Sequence, residues 1–442
     1  MHDGCTLQLH ASGAWHDVAS VRLLAPAGKG WKAGSYSGYA VEWAFEYAGA
    51  TDAHALCASW PVGLEPMQAP HWPVFLIDML PQGFGRQELL RRIGLPATAG
   101  AVADWGLLLA GAGNPIGNLR VKEAAQWLAD NSGAVRGFTD EEVAERGDEF
   151  SEHLASHGLF VAGSSGVQGA WPKVLLTRAD DGLLYLDHTL ADARALEHYI
   201  VKFGRGTDPQ LAGILRHEAP YMDIARRLGL RVPEPLVLRR RALFIRRFDR
   251  QVRGGAVIRL AQESIATLTG MPGFEAVPSH DEVCRALLRH CTSPQDEVLE
   301  YVKRDVANLA MGNKDNHARN TAVQRDFEGG IALTPLYDFA PMYLHPDGIA
   351  RRIRWEENDA GHPDWGRVLD RVCALGDELR REGRTKRAAP IDRARLVQGL
   401  KAMAPALERI AAEGEAMGLD PAVLDHLRPG ILAQAKALTV LA

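Results

Sequence analysis

The stretch "MGNKDNHARNTAV", Met311 to Val323, sets Asp315, Asn316, His317, Arg319 and Asn320 together between an apolar helix-like run and a return to strand-forming residues. None of those polar side chains can build a core. They form either a solvated surface turn or a site where carboxylate and amide oxygens do chemistry. Asn320 lies five positions after Asp315, and a further aspartate, Asp338, follows 18 positions later in "LTPLYDFAP". This D-x-x-x-x-N…D arrangement is what phosphoryl transfer requires. One carboxylate accepts the proton of the attacking hydroxyl, while an amide oxygen and a second carboxylate hold Mg²⁺ against nucleotide phosphates.

The preceding segment places Leu299, Val302, Val306 and Leu309 at helical spacing, which predicts a helix that buries this face and delivers the chain into the polar loop. Beyond it, "EGG" at Glu328–Gly330 predicts a hairpin and "IALTPL" a strand that returns Asp338 to the same neighbourhood.

Two misplaced charges lie upstream. Lys202 interrupts the apolar strand pattern "HYIVKFG", and Glu218 falls on the helical face marked by Leu211, Leu215, Met222 and Ala225. A strand lysine paired with a helix glutamate is how kinase-type sites grip nucleotide phosphates. The plain alternative is a lysine extending from an edge strand and a glutamate at a helix boundary near Pro220. "GSSGVQGAWPK", Gly163 to Lys173, is a glycine-rich turn ahead of the lysine strand, where backbone N–H groups can approach a phosphate. By itself such a stretch is more often a simple turn, and its place ahead of the lysine strand is what favours the phosphate role.

At 442 residues with 46% apolar content, the chain is long enough for two or three domains or lobes. The net charge of −5 excludes a protein that coats nucleic acid by charge alone. Five scattered cysteines show no CxxC pair, which fits a reducing cytoplasm. No leader pattern and no run of about 18 apolar residues is expected to place the chain in a membrane.

Residues 1–128 mix strand-like pieces ("CTLQLH", "YAVEWAFEYA", "NLRVKE") with a helical "PVFLIDMLPQGFGRQELLRRIGL" that Pro81 should interrupt. Residues 150–255 predict a small antiparallel sheet carrying one helix, and 256–442 are almost wholly helical in period, apart from the hairpin near the polar loop. The arginine-rich "RRRALFIRRFDRQVR" reads as outward-facing residues on a half-buried hairpin, or as a contact for DNA or tRNA. The expected architecture is α+β: a two-lobed, protein-kinase-like fold with an additional N-terminal β-rich domain and a helical C-terminal lobe. No internal repeat or long low-complexity tract interrupts it.

These motifs together resemble the HipA-type serine/threonine protein kinases of bacterial toxin–antitoxin modules. "VFLIDMLPQGFGRQELLRR" is similar to the family's N-terminal motif and "GVQGAWPK" to its phosphate loop. "HYIVKF", "IRRFDR" and "RLAQES" resemble the nucleotide-lysine strand, the hinge and the segment after it. "GNKDNHARN" with "LTPLYDFAP" resembles the catalytic and metal-binding loops.

The resemblance implies Asp315 as catalytic base, His317 as its support, Asn320 and Asp338 as Mg²⁺ ligands, and Lys202 as the ATP lysine, with Glu218 its partner. It implies Gly166, Val167 and Gln168 in the phosphate loop, and Arg246, Phe248 and Gln262 lining the nucleotide site. Ser164 and Ser165 are the nearest candidates for autophosphorylation. An aminoacyl-tRNA synthetase as substrate and a helix-turn-helix antitoxin as partner, with DNA reached only through it, follow from the resemblance alone. A small-molecule phosphotransferase would use the same site, and a non-catalytic nucleotide-binding regulator would keep part of it. The N-terminal domain favours a protein substrate or partner, and the joint presence of Lys202, Asp315, Asn320 and Asp338 speaks against a dead site.

Overall fold

The computed structural model describes residues 3–157, 172–204, 208–356, 361–383 and 390–442. The architecture is α+β, in two compact units. The first comprises residues 1–205, 237–276 and 324–329, the second 206–236, 277–323 and 330–442.

The first unit contains two five-stranded sheets. β1 (Gly4–Ala11), β2 (Ala14–Leu23), β3 (Ser35–Tyr39), β4 (Met67–Ala69) and β5 (Leu119–Val121) pair antiparallel in the order β4-β3-β2-β1-β5. Leu7 and Leu9 alternate along β1 and are fully buried, the period-two signature of a strand with one face on the core. "YAVEWAFEYA" is not the strand its alternation predicts. It forms a short helix, Val41–Glu46, that buries only Trp43 and Ala44, with the Trp43 indole donating to the His54 carbonyl at 2.9 Å. Val41 and Phe45, one helical turn apart, are exposed. The long helix expected around Pro81 divides into Val74–Asp78 and Gly83–Arg92, because proline cannot donate the helical hydrogen bond.

The second sheet contains β6 (Lys173–Ala179), β7 (Leu184–Leu186), β8 (Ala195–Phe203), β9 (Val237–Arg239) and β10 (Ala242–Arg246). It is antiparallel throughout, in the order β7-β6-β8-β10-β9. One continuous apolar core joins Leu7 and Leu9 to Val174, Val201 and Phe244.

The arginine-rich stretch is divided: Arg239, Arg240, Arg241 and Arg253 are exposed, as its outward-facing reading expects, whereas Arg247 and Arg250 are buried. Arg239 and Arg240 pair with Asp140, Glu141 and Glu145 of the helix Asp140–Glu145, whose start Thr139 and Glu142 cap reciprocally. Arg247 and Arg250 are buried and converge on Asp249, which also accepts from the Gly117 N–H at 2.7 Å. Charge repulsion along the stretch is thus relieved at Arg239 and Arg240 by carboxylates of residues 140–145, and at Arg247 and Arg250 by Asp249 within the stretch itself.

The second unit is built on helices Pro209–Arg227, His280–His290, Pro294–Ala310, Trp365–Arg381, Arg393–Lys401, Ala404–Glu413 and Pro421–Thr439. Val302, Val306, Leu369, Val372, Leu396, Leu407, Ile431 and Leu438 are among its buried residues. The face of Pro294–Ala310 differs from the expected one. Leu299 and Leu309 are only half-buried, while Glu300, Arg304 and Asp305 are buried with polar partners. Among the described residues no helix is long and apolar enough to cross a membrane, and all five cysteines are free thiols.

Candidate active site

The helix Pro294–Ala310 both carries the polar loop and fixes the strand that returns to it. At its end the Met311 carbonyl accepts from the Tyr221 hydroxyl at 3.0 Å. Gly312 then turns the chain with φ +64, and a Cβ there would meet Tyr343 at 2.8 Å and Leu427 at 3.0 Å, so only glycine fits. Asn313 Nδ2 donates to Asn308 Oδ1 on the helix, and Asn313 Oδ1 accepts from the Asp315 N–H at 3.3 Å. The backbone of Asp315 is thereby referenced to a rigid element.

On the return side, buried Glu297 accepts from the Leu333 N–H at 2.8 Å and Arg304 donates to the Thr334 carbonyl at 2.6 Å. Arg231, paired with Glu297, bonds the Leu333 carbonyl and accepts from the Leu336 N–H. These charges, misplaced by the helix's apolar pattern, staple residues 331–336 in register. Tyr337 then donates to the Arg319 carbonyl at 2.9 Å, and Phe339 is fully buried against Tyr221.

Between these two fixed neighbours Asp338 adopts a left-handed backbone, φ +51. That conformation costs a non-glycine residue of order 1–3 kcal/mol and persists only where its surroundings hold it.

Asp315, Asn320 and Asp338 line a single pocket together with Asn313, Asn316, Thr321 and Tyr337. Asn320 Nδ2 donates to the Asp315 carbonyl at 2.8 Å, which spends the amide's donor side and leaves Oδ1 as its acceptor. His317 is not part of the lining. Its Nδ1 accepts from the Arg319 N–H at 3.2 Å and its Nε2 lies 3.8 Å from Asp315 Oδ1. Burial lowers its pKa against the pull of Asp315 and Asp338, so the ring is neutral at physiological pH.

An oxygen-rich pair with one carboxylate and one amide suits a hard cation that takes its remaining ligands from phosphates and water. Among the described residues no group of three or more His, Cys, Asp or Glu is arranged to hold a metal.

The remaining expected site residues divide between the units. Glu218 is buried on the helix Pro209–Arg227 of the second unit. Lys202 is on β8 of the first and Gln262 donates to Gln324 at 2.8 Å, also in the first. Arg246 ends β10 and pairs with Glu197 at 3.4 Å, with Phe248 two residues on. Ser164, Ser165, Gly166, Val167 and Gln168 lie outside the described residues.

The sequence places Lys173 only as the last residue of "GVQGAWPK", the stretch that resembles a phosphate loop. Lys173 stands directly opposite Lys202 in the β6–β8 register, both ammonium-bearing side chains being at most 4% exposed. Unlike Lys202 within β8, Lys173 is the first residue of β6, so no break in an apolar run marks it. Residues directly opposite share a face about 5 Å apart, and two like charges there repel unless anionic groups are near both.

The strand order, the fixed polar loop and the left-handed aspartate together define a kinase-like α+β protein. The model of the HipA-like C-terminal domain matches residues 165–398, more than half of the chain, and the chain belongs to the HipA family. A Sinorhizobium fredii (strain NBRC 101917 / NGR234) protein named "Putative kinase Y4mE" is 26% identical over 296 residues, which are 62% of this chain. The chain spans just under two thirds, 65%, of that relative's length. The fold is also that of HipA in the Shewanella oneidensis MR-1 complex of HipA, HipB and operator DNA. That likeness has a TM-score of 0.62 and 20% identity, and it covers 98% of this chain and 97% of the other.

Proposed function

We propose that this protein is an ATP- and Mg²⁺-dependent serine/threonine protein kinase, the toxin of a toxin–antitoxin pair. The observation that carries the reading is the convergence of Asp315, Asn320 and Asp338 on one pocket. The acceptor hydroxyl gives its proton to Asp315 as its oxygen attacks the γ-phosphorus, and the bond from that phosphorus to the ADP oxygen breaks. Asn320 and Asp338 would hold Mg²⁺, which would supply positive charge against the phosphates. Lys173 and Lys202 supply positive charge for the phosphates, with Glu218 the counter-ion of Lys202 and Gly166, Val167 and Gln168 the phosphate loop. Arg246, Phe248 and Gln262 face the nucleoside. His317, neutral and close to Asp315, supports the loop.

The family resemblance extends the proposal to autophosphorylation at Ser164 or Ser165 and to a translation-related target such as an aminoacyl-tRNA synthetase. The structural neighbour is a HipA assembled with HipB and operator DNA. By analogy we propose a helix-turn-helix antitoxin as partner here, with DNA reached only through it. Five free thiols, four of them buried, suit a reducing cytoplasm.

The direct test is transfer of γ-labelled phosphate to the purified chain and to proteins of a bacterial lysate. Label on serine or threonine that disappears when divalent ions are chelated is the expected result. An unlabelled lysate and chain at millimolar Mg·ATP would reject the reading. For the lysine pair, calorimetric titration with Mg·ATP should show each of Lys173→Met and Lys202→Met weakening binding. A lost hydrogen bond to a charged group is worth about 1.5–3 kcal/mol, roughly 10- to 150-fold in Kd. Wild-type affinity in both variants would remove the lysines from the phosphate site.

A further inference from the structure

The proposed chemistry leaves Asn316 without a task, although it adjoins Asp315 and lines the same pocket. Its half-buried side chain spends both ends of its amide on one neighbouring segment, residues 351–355. Oδ1 accepts from the Arg352 N–H at 2.8 Å and the Ile353 N–H at 3.3 Å, and Nδ2 donates to the Ile353 carbonyl at 2.9 Å. Two N–H groups on one side and a carbonyl on the other fix which end is oxygen, so the planar amide has one satisfied orientation.

The segment it grips belongs to no helix or strand and is held by buried charge. Arg351 binds both oxygens of Asp305, a residue 2% exposed, at 3.0 and 2.8 Å, and the Trp355 indole donates to the same carboxylate at 3.0 Å. The Arg354 carbonyl accepts from the His280 N–H at 2.8 Å, and the Glu356 N–H donates to Asp281 at 2.9 Å. Trp355 stacks on the His280 ring with centroids 4.7 Å apart. Asp305 is on the helix Pro294–Ala310, and His280 and Asp281 are on the helix His280–His290. Residues 351–355 are therefore a strap fastened to two helices.

The polar loop needs such a fastening. The backbone bonds of residue 315 run to Asn313 and Asn320, members of the same loop, so they set its conformation but not its place in the unit. Placement comes from bonds that leave the loop. Asn313 makes one to Asn308 at the start, and the Tyr337 hydroxyl makes one to the Arg319 carbonyl near the end. Between them, directly beside Asp315, the tie is Asn316.

We propose that Asn316 is a positioning residue for phosphate transfer. By joining the loop to the strap that Asp305 anchors, it holds the Asp315 carboxylate where the acceptor hydroxyl arrives, and it acts on the rate through Asp315 and not through nucleotide binding. The proposal rests on the kinase reading above, in which Asp315 is the base. A general base works only within hydrogen-bond reach of the proton it takes, and a displacement of about 1 Å costs on the order of 10²-fold in rate.

The test is a double-mutant cycle on the full chain, reading transfer of γ-labelled phosphate and calorimetric Mg·ATP binding for each variant. Asn316→Ala is expected to lower transfer at saturating Mg·ATP by about 10- to 100-fold and to leave the Mg·ATP Kd within about twofold. In the Asp315→Asn background the same substitution should change the residual rate by less than about twofold, because misplacing a base costs nothing once the base is gone. Trp355→Phe removes the indole donor to Asp305 without touching the loop. It should give a smaller loss with the same dependence on Asp315, so the cycle stands even if Asn316→Ala melts below the assay temperature. Asp364→Ala, which uncaps the helix Trp365–Arg381, should lower the thermal midpoint and leave transfer unchanged, separating lost stability from lost positioning. Undiminished transfer in Asn316→Ala, or an equal fold-loss in both backgrounds for either substitution, overturns the positioning role and leaves the kinase reading standing. Absence of transfer by the unmutated chain removes the kinase reading and the positioning role with it.

Discussion

Asp315→Asn is expected to lower phosphate transfer by about 10²- to 10⁴-fold, the usual contribution of a positioned general base. Folding should be untouched, because the loop holds residue 315 by its backbone. Its N–H donates to Asn313 and its carbonyl accepts from Asn320, and asparagine keeps both bonds. The side chain is half-buried and asparagine has nearly the same size, so the change in stability should stay within about 0.5 kcal/mol. Mg·ATP affinity should stay near wild type.

Asp338→Asn provides the contrast. Asparagine tolerates the left-handed backbone at φ +51, so the fold survives, while the loss of a carboxylate from a two-ligand metal site should raise the Mg²⁺ concentration needed for half-maximal transfer. Asp338→Ala would add roughly 1–2 kcal/mol of backbone strain to the same chemical loss. Kinetics across Mg²⁺ concentrations, with a urea melt of each variant, separate the base from the ligand. Undiminished transfer in either asparagine variant would remove that residue from the mechanism.

The largest stability effect is expected far from that chemistry, at Asp249. Burial alone would raise its pKa, but Arg247 and Arg250 beside it override that penalty and hold the carboxyl well below the usual carboxylate range. Arg247 bonds it through Nε at 2.9 Å and Nη2 at 2.7 Å, Arg250 through Nη1 at 2.6 Å, and the Gly117 N–H supplies a fourth donor. Asp249→Asn removes the charge and leaves two buried guanidiniums, with Asp187, 3.2 Å from Arg247, as the remaining carboxylate paired with them among the described residues.

Removing one partner of such a buried network costs about 3–5 kcal/mol, which urea denaturation should resolve. The pH dependence carries the sign. Asp249 has a folded-state pKa below its unfolded value, so its stabilisation is fully present above the ordinary carboxylate value of 3.8 and is lost as the pH falls below it. The gap between wild type and variant should therefore narrow on acidification. A variant as stable as wild type at neutral pH would show that the network is energetically neutral.

Much of the site was legible in one dimension because the constraints on it are local. Phosphoryl transfer needs carboxylate and amide oxygens at short range, and one loop and one hairpin supply Asp315, Asn320 and Asp338 within 24 residues. Proline likewise announced the break at Pro81, since its backbone restriction holds in any context. The α+β class followed from a change of hydrophobic period, which each segment carries by itself.

The misreadings share one cause. "YAVEWAFEYA" alternates as a strand should, but only contacts with residues such as His54 decide that Trp43 is its anchor, and a helix presents it. Arg247 and Arg250 of "RRRALFIRRFDRQVR" look solvated like their exposed neighbours, until Asp187 and the packing of residues 115–117 around Asp249 bury them. Lys173 acquires meaning from strand register, which sets it opposite Lys202. Sequence by itself determined which functional groups this chain possesses and which segments are helix or strand, because those follow from side-chain chemistry and short-range periodicity. Tertiary structure alone decided which buried charges face each other, which backbone at Asp338 is held strained, and which segment Asn316 grips beside the base, because each depends on partners distant in the chain.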